Sequence, residues 1–263
     1  MTKHGTSTIK IRDVEIRVMR GGQGEKVLWL HDATESGIWL DAMDLLAERF
    51  EVIVPEHPGF GLSEVPEWLD TTGDLANFYL DFLAALDLSH VHLVGTSLGG
   101  WIAAELAIRN TSRLASLTLV DASGIRVEGV SGIDSYVTND EQTIRDLFHD
   151  PRRAEATIAS VLHPDHEDAL LKNRLVTAKL TWQPRLYDPH LMKWLHRIDV
   201  PTLILWGEQD RVLPKAIAEA WQRGIPNAQR ILIPACGHLP AIEQPAAFVA
   251  AIAGFIAGKR AQS

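Results

Sequence analysis

Short apolar runs alternate with amphipathic stretches along most of the chain. Residues 27–30, 52–55, 91–94, 114–120, 202–206 and 230–233 are rich in Val, Leu, Ile and Trp and are bounded by turn residues. Runs of that length predict strands buried on both faces, the habit of a parallel sheet covered by helices. Residues 8–19 instead alternate polar and apolar about Asp13, which predicts an opening hairpin. Elsewhere the period is helical: Leu75, Phe78, Tyr79, Phe82, Leu83 and Leu86 fall on one face, and so do Phe248, Ile252, Phe255 and Ile256 in a helix beginning near Pro245. Helices are also expected over 101–108 and from about Pro214. The fold class is α/β, with a mostly parallel central sheet and helices on both faces.

One stretch breaks the alternation. Residues 125–199 contain no convincing strand and are polar with scattered aromatics, Tyr136, Phe148, Trp182, Tyr187 and Trp194. Inserted between two strands above their C-terminal ends, the stretch is expected to be a helical cap over the site, leaving 1–124 and 200–263 as the core. Its aromatics, with Leu186, Leu191 and Met192, have two readings: a pocket wall for an apolar acyl or aryl group, or packing of cap on core. No internal repeat or low-complexity tract is present.

The candidate chemistry starts at Ser97, in the run GTSLGG between a predicted strand and a predicted helix. Gly95 and Gly99 let the two backbone segments pass closely, so the serine sits on a sharp turn with its hydroxyl exposed and the free N–H groups of the helix beside it. A serine hydroxyl needs a histidine to take its proton and a carboxylate to orient that histidine. Downstream, Asp210 follows the strand ending at Trp206 and a Gly207 turn, and His238 lies in a glycine-containing loop between the last strand and the last helix.

The order Ser97, Asp210, His238, each directly after a predicted strand, resembles the α/β-hydrolase family. The likeness extends over nearly the whole chain, through LWLHD at 28–32, PEHPGFGLSE at 55–64, GTSLGG, LTLVDASG at 117–124, GEQDRVLP at 207–214 and CGHLPAIEQP at 236–245. The resemblance implies the α/β-hydrolase fold with a cap. It also implies that Ser97 is nucleophile, His238 base and Asp210 acid, with the backbone N–H groups of Leu98 and Ala33 as oxyanion hole. Asp121 is a rival acid, because some members carry it one strand earlier, and Asp210 could instead cap the helix from Pro214. Asp32 departs from the pattern, since relatives commonly have glycine there. Aspartate tolerates a left-handed backbone, so the loop can still form, and the carboxylate is expected to face solvent or a partner rather than the oxyanion. Asp32→Gly is then expected to change turnover little. Thr96, Trp182 and Leu239, with Asp32, are candidate substrate contacts.

Other motifs carry less. The stretch HPDHED at 163–168 invites a metal reading, but adjacent residues at a helix start cannot all face one ion. Arg185 could meet a substrate carboxylate, although a surface salt bridge is the plainer reading. HPGFG at 57–61 has neither the P-loop nor the dinucleotide pattern, so no nucleotide cofactor is implied. Cys236, the one cysteine, excludes an internal disulfide and reads as an apolar filler.

With 263 residues and 46% hydrophobic content, the chain can bury about three quarters of its unfolded surface. A net charge of −9 argues against nucleic acid and anionic membranes as partners. The N-terminus lacks an apolar targeting segment, so a cytoplasmic protein is expected. The expected activity is cofactor-free and metal-free hydrolysis of a small-molecule carboxylic ester, with homo-oligomerisation left open. Alternatives are C–C bond hydrolysis of meta-cleavage-type substrates, a non-catalytic ligand-binding relative, and perhydrolase activity. Thr96 and Leu239 count against the C–C reading, because those relatives usually carry asparagine and tryptophan at these positions.

Overall fold

The computed structural model describes residues 4–162 and 167–260. Eight strands form one sheet in the order β1-β2-β4-β3-β5-β6-β7-β8. They are β1 (Gly5–Ile11), β2 (Val14–Gly21), β3 (Glu25–Leu30), β4 (Phe50–Pro55), β5 (Val91–Thr96), β6 (Leu114–Val120), β7 (Thr202–Gly207) and β8 (Gln229–Ile233). The opening hairpin β1–β2 is antiparallel and β2 joins β4 antiparallel, while every pairing from β4 onward is parallel.

The strand runs are almost wholly apolar because each is buried on both faces. Leu28 and Leu30 point into one core layer and Val27 and Trp29 into the other, and Ile204 and Trp206 oppose Leu203 and Leu205 in the same way. The first layer is closed by α2 (Thr72–Ala85), α3 (Leu98–Arg109) and α8 (Lys215–Gly224), and the second by α1 (Asp41–Ala47) and α10 (Pro245–Arg260). The start of α2 is set by a capping box in which Thr71 Oγ1 accepts from the Asp74 amide at 3.2 Å and Asp74 Oδ2 accepts from the Thr71 amide at 2.8 Å. Its predicted apolar stripe is the buried face, with Leu86 as the C-cap.

The hydrophobic pattern did not foretell α1. At seven residues it has room for one apolar turn, Ala42, Met43, Leu46 and Ala47, too few positions to establish a period. Between β6 and β7 the structure is helical: α4 (Asp140–Leu147), α5 (Pro151–Val161), α6 (Glu167–Thr181) and α7 (Leu191–Trp194), then a short 3₁₀ turn at Leu195–Arg197. The short helix α9 (Pro240–Glu243) precedes α10. Phe148 with Ile144, Leu147 and Ala154 packs on Leu239, so α4 and α5 lean on the loop that follows β8. Residues 163–166 of the considered metal stretch lie outside the described residues.

Candidate active site

Ser97 occupies the turn between β5 and α3 with φ 49° and ψ −110°, a backbone that a side-chain-bearing residue holds only under constraint. The constraint comes from its neighbours. A Cβ on Gly95 would stand 2.4 Å from the Gly99 carbonyl oxygen, and one on Gly99 would stand 2.1 Å from that of Leu30. The elbow therefore closes only with glycine on both sides, and it presses the N-terminus of α3 against the end of β3. The Ser97 amide donates to Val120 O at 2.9 Å, which ties the turn to β6.

The other two residues arrive on loops after β7 and β8. Gly207 lets these loops meet, since a Cβ there would lie 1.8 Å from Gly237 O. His238 Nε2 is 2.9 Å from Ser97 Oγ, and His238 Nδ1 is 2.8 Å from Asp210 Oδ2. Asp210 Oδ1 accepts from the amides of Val212 and Leu213 at 2.8 and 2.9 Å. The carboxylate is thus held from behind while it faces the imidazole. Those amides belong to the turn before α8, whose N-cap Pro214 receives no side-chain bond, so Asp210 does not cap that helix. Burial works against charge on His238, but the charge and hydrogen bond of Asp210, joined by the charge of Asp32, raise its pKa above the ordinary value. An arrangement of hydroxyl, imidazole and carboxylate in this order can pass a proton from oxygen to nitrogen and hold the resulting cation.

Leu98 and Ala33 are the residues expected to supply the oxyanion donors. Leu98 opens α3, and the Leu30–His31 backbone runs against Gly99. Neither amide donates to an acceptor among the described residues. The loop carrying Ala33 is fixed by a buried network that sequence patterning did not single out. The His57 amide donates to His31 Nε2 at 3.0 Å, His57 Nε2 meets His31 O at 2.9 Å, and His57 Nδ1 meets Tyr79 Oη at 2.5 Å. Those partners require Nε2 of His31 to accept, so that ring is neutral, and Nε2 of His57 to donate. Burial lowers the pKa of His31 to about 4 and puts that of His57 well below its ordinary value. Glu56, also buried, accepts from the amides of Leu62 and Ser63 at 2.8 and 3.1 Å and shapes the PGFGLSE turn. Isolated His and Glu codes inside apolar sequence give no periodic signal for such pairing.

Asp32 meets one expectation, a partner for its carboxylate, and corrects another, the left-handed backbone. It is buried and so does not face solvent, and its φ is not positive, so the loop forms without left-handed backbone at that position. Its Oδ1 accepts from the amides of Thr34 and Glu35 at 2.6 and 2.7 Å and from Thr34 Oγ1 at 3.0 Å. The partners expected as the alternative to solvent are these. Beside it, Glu35 is buried with both carboxyl oxygens unpartnered among the described residues. Burial first, and then the charge of Asp32, push its pKa well up, which favours the neutral form.

The remaining candidates divide. Thr96 is fully buried at the end of β5 and Leu239 is buried against Phe148 and Leu147, so Leu239 helps seat the His238 loop. Trp182 is not brought to the group: it is 54% exposed, edge-on to Tyr136 at 5.4 Å and covered by the Arg185 guanidinium at 4.2 Å. Arg185 pairs with Asp134 at 2.6 Å, the salt bridge rather than the substrate contact. Cys236 is buried, and desolvation followed by the charges of Asp121, Glu243 and Asp210 drives its thiol pKa far up. That environment disfavours a thiolate.

Glu243 on α9 was not anticipated. Its Oε2 accepts from the Gly237 amide at 2.5 Å, and its Oε1 accepts from the amides of His149 and Asp150 at 2.7 and 2.6 Å. With the His238 amide donating to Leu147 O at 2.7 Å, these bonds clamp the histidine loop to the α4–α5 junction. Asp121, Asp210 and His238 bring potential metal ligands within 4.8 Å of one another. Both imidazole nitrogens are engaged by Ser97 and Asp210, so the ring has none to spare for a metal ion.

This sheet order, with the serine on the β5–α3 elbow, defines an α/β hydrolase, and a model of the alpha/beta hydrolase family matches residues 27–251. The chain belongs to that family. Among individual relatives, it is 27% identical to a 2-hydroxy-6-oxo-6-(2'-aminophenyl)hexa-2,4-dienoic acid hydrolase of Metapseudomonas resinovorans, over 92% of this chain and 88% of that one. It is 26% identical to a pimeloyl-[acyl-carrier protein] methyl ester esterase of Aeromonas hydrophila, over 92% of this chain and all of that protein. The crystal structure of a serine hydrolase from Cycloclasticus zankles superposes with TM-score 0.82 at 22% identity, covering 98% of this chain and 99% of the other. No helix among the described residues is long and apolar enough to cross a membrane.

Proposed function

We propose that the protein is a serine hydrolase that cleaves a carboxylic ester of a small to medium, apolar substrate through an acyl-enzyme. The observation that carries this reading is the continuous hydrogen-bonded line from Ser97 Oγ through His238 to Asp210, at 2.9 and 2.8 Å. His238 Nε2 takes the hydroxyl proton as Ser97 Oγ attacks the ester carbonyl, and Asp210 supports the imidazolium. The N–H groups of Leu98 and Ala33 receive the tetrahedral oxyanion at the positive end of α3. His238 then protonates the departing alcohol, and water repeats the attack to release the acid. These steps call on neither metal nor cofactor. Helices α4–α7 serve as the cap over Ser97 and shape the acyl pocket.

A second reading, hydrolysis of a C–C bond in a vinylogous dienoic acid, is favoured by the Metapseudomonas relative, whose name states such a substrate. Two features weigh toward the ester. Asp32 and Glu35 are buried in and beside the oxyanion loop, where a negative or neutral acid gives a substrate carboxylate no counter-charge. Thr96 and Leu239 stand where relatives with the C–C activity usually carry asparagine and tryptophan.

An activity panel separates the two: aryl esters graded in acyl length beside one ring-fission dienoic acid. The ester reading expects kcat/KM for the preferred ester to exceed that for the dienoic acid by about 100-fold or more, the scale on which a site rejects an ill-matched substrate. The reverse ratio would transfer the assignment to C–C hydrolysis, and turnover of neither by folded protein would favour a ligand-binding role.

A further inference from the structure

Asp121, at the C-terminal end of β6, has no part in the steps above, yet it touches the machinery that performs them. Its backbone is left-handed, φ 41°, and its amide donates to Leu205 O at 3.1 Å, so the residue is fastened across to β7. Oδ1 accepts from the Gly207 amide at 2.9 Å. Oδ2 is buried and has no donor among the described residues. The carboxyl of Asp121, the carboxylate of Asp210 and the His238 ring each offer an atom within 4.8 Å of the other two.

Two carboxylates this close in a site shielded from water cannot both be charged at modest cost; one proton shared between them relieves the repulsion. The donors decide where it rests. Asp210 receives N–H groups from Val212, Leu213 and His238, whereas Asp121 receives one, from Gly207. Hydrogen bonds from N–H groups favour the charged form, so the proton belongs on Asp121. An Oδ2 that is orphaned as an acceptor is then satisfied as a donor.

We propose that Asp121 is a positioning residue: as a neutral acid it donates from Oδ2 to Asp210, fixing that carboxylate against His238 Nδ1 and drawing off part of its charge. The groups facing Asp121 agree. Desolvation, followed by the charge and hydrogen bond of Asp210, raises its pKa well above the carboxylate range; Glu243 on α9 adds to this and the Gly207 amide opposes it. From the loop after β8 come Cys236, held as a thiol, and His238 itself.

The proposal rests on the hydrolase reading, and its test separates the two. In the infrared difference spectrum of wild type minus Asp121→Asn at neutral pH, a protonated-carboxyl stretch is expected in the wild type and absent from the variant. Finding only the carboxylate bands there would overturn the proposal, whether or not the enzyme turns over esters. In kinetics, Asp121→Leu removes the donor and is expected to lower kcat by about 30-fold with KM little changed, a loss on the scale of a hydrogen bond to a charged group. Its acid limb should move to higher pH, because Asp210 regains the charge that the hydrogen bond had drawn off. Asp121→Asn, which can still donate, is expected to turn over at least about 10 times faster than Asp121→Leu, with an acid limb below that of the leucine variant. Coincident limbs and equal rates for the two variants would refute the donor role, and if Asp121→Leu does not fold the infrared band alone decides.

Discussion

Asp210 and Asp32 are both buried, both sit in loops after parallel strands, and both act electrostatically on His238, but their oxygens are engaged differently. Asp210 commits one oxygen to two amides and keeps the other for the imidazole. Asp32 commits itself to the Thr34 and Glu35 amides and the Thr34 hydroxyl, and touches His238 only through space. A carboxylate's part in a site is therefore set by where its lone pairs point, which neither its type nor its place after a strand reveals.

Breaking the direct contact gives the largest effect. Asp210→Asn is expected to lower kcat on an aryl ester by about 10³–10⁴-fold, as the imidazole loses its oriented tautomer and its counter-charge. Next comes the clamp. Glu243→Ala strips the acceptor from the buried amide of Gly237 and the half-buried amides of His149 and Asp150, and urea unfolding is expected to show a loss of about 2–4 kcal/mol. A stability equal to wild type would mean that water replaces the carboxylate at no cost.

Asp32→Asn sharpens the contrast from the other side. His238 must be neutral to accept the serine proton, and its pKa is raised above 6.5, so activity falls as pH drops through that raised value. Removing the Asp32 charge removes one of the causes of the rise, so the acid limb of kcat/KM is expected to move to lower pH, while kcat falls less than about tenfold. A limb that stays fixed would show that Asp32 does not reach the ring. The bonds it makes also change the outlook for Asp32→Gly, now expected to cost turnover by loosening the loop that holds Ala33. The smallest effect is reserved for Trp182→Ala. With the indole turned to solvent against Arg185, kcat/KM is expected to stay within about twofold, the range of ordinary surface substitutions.

The contrast also marks what the chain discloses before folding. The strands were legible because burial on both faces demands unbroken apolar runs, and Ser97, Asp210 and His238 because each follows such a run with glycine beside it. The pairing of His31 with His57, the Glu243 clamp and the unpartnered carboxyl oxygens of Glu35 and Asp121 were not. Most are contacts between segments far apart in sequence, such as His31 with His57 and Glu243 with the α4–α5 junction, and no period along the chain encodes them. Trp182 misled for a related reason: an aromatic in the inserted segment packs equally well over a site or under a guanidinium.

The central claim is that Ser97 Oγ is made nucleophilic by His238. The most direct measurement is treatment of the folded protein with a fluorophosphonate, followed by peptide mass spectrometry. The account predicts one stoichiometric adduct on Ser97, abolished in Ser97→Ala and slowed by about 10³-fold or more in His238→Ala. An adduct on another residue, or unmodified Ser97 in protein that still hydrolyses esters, would contradict it.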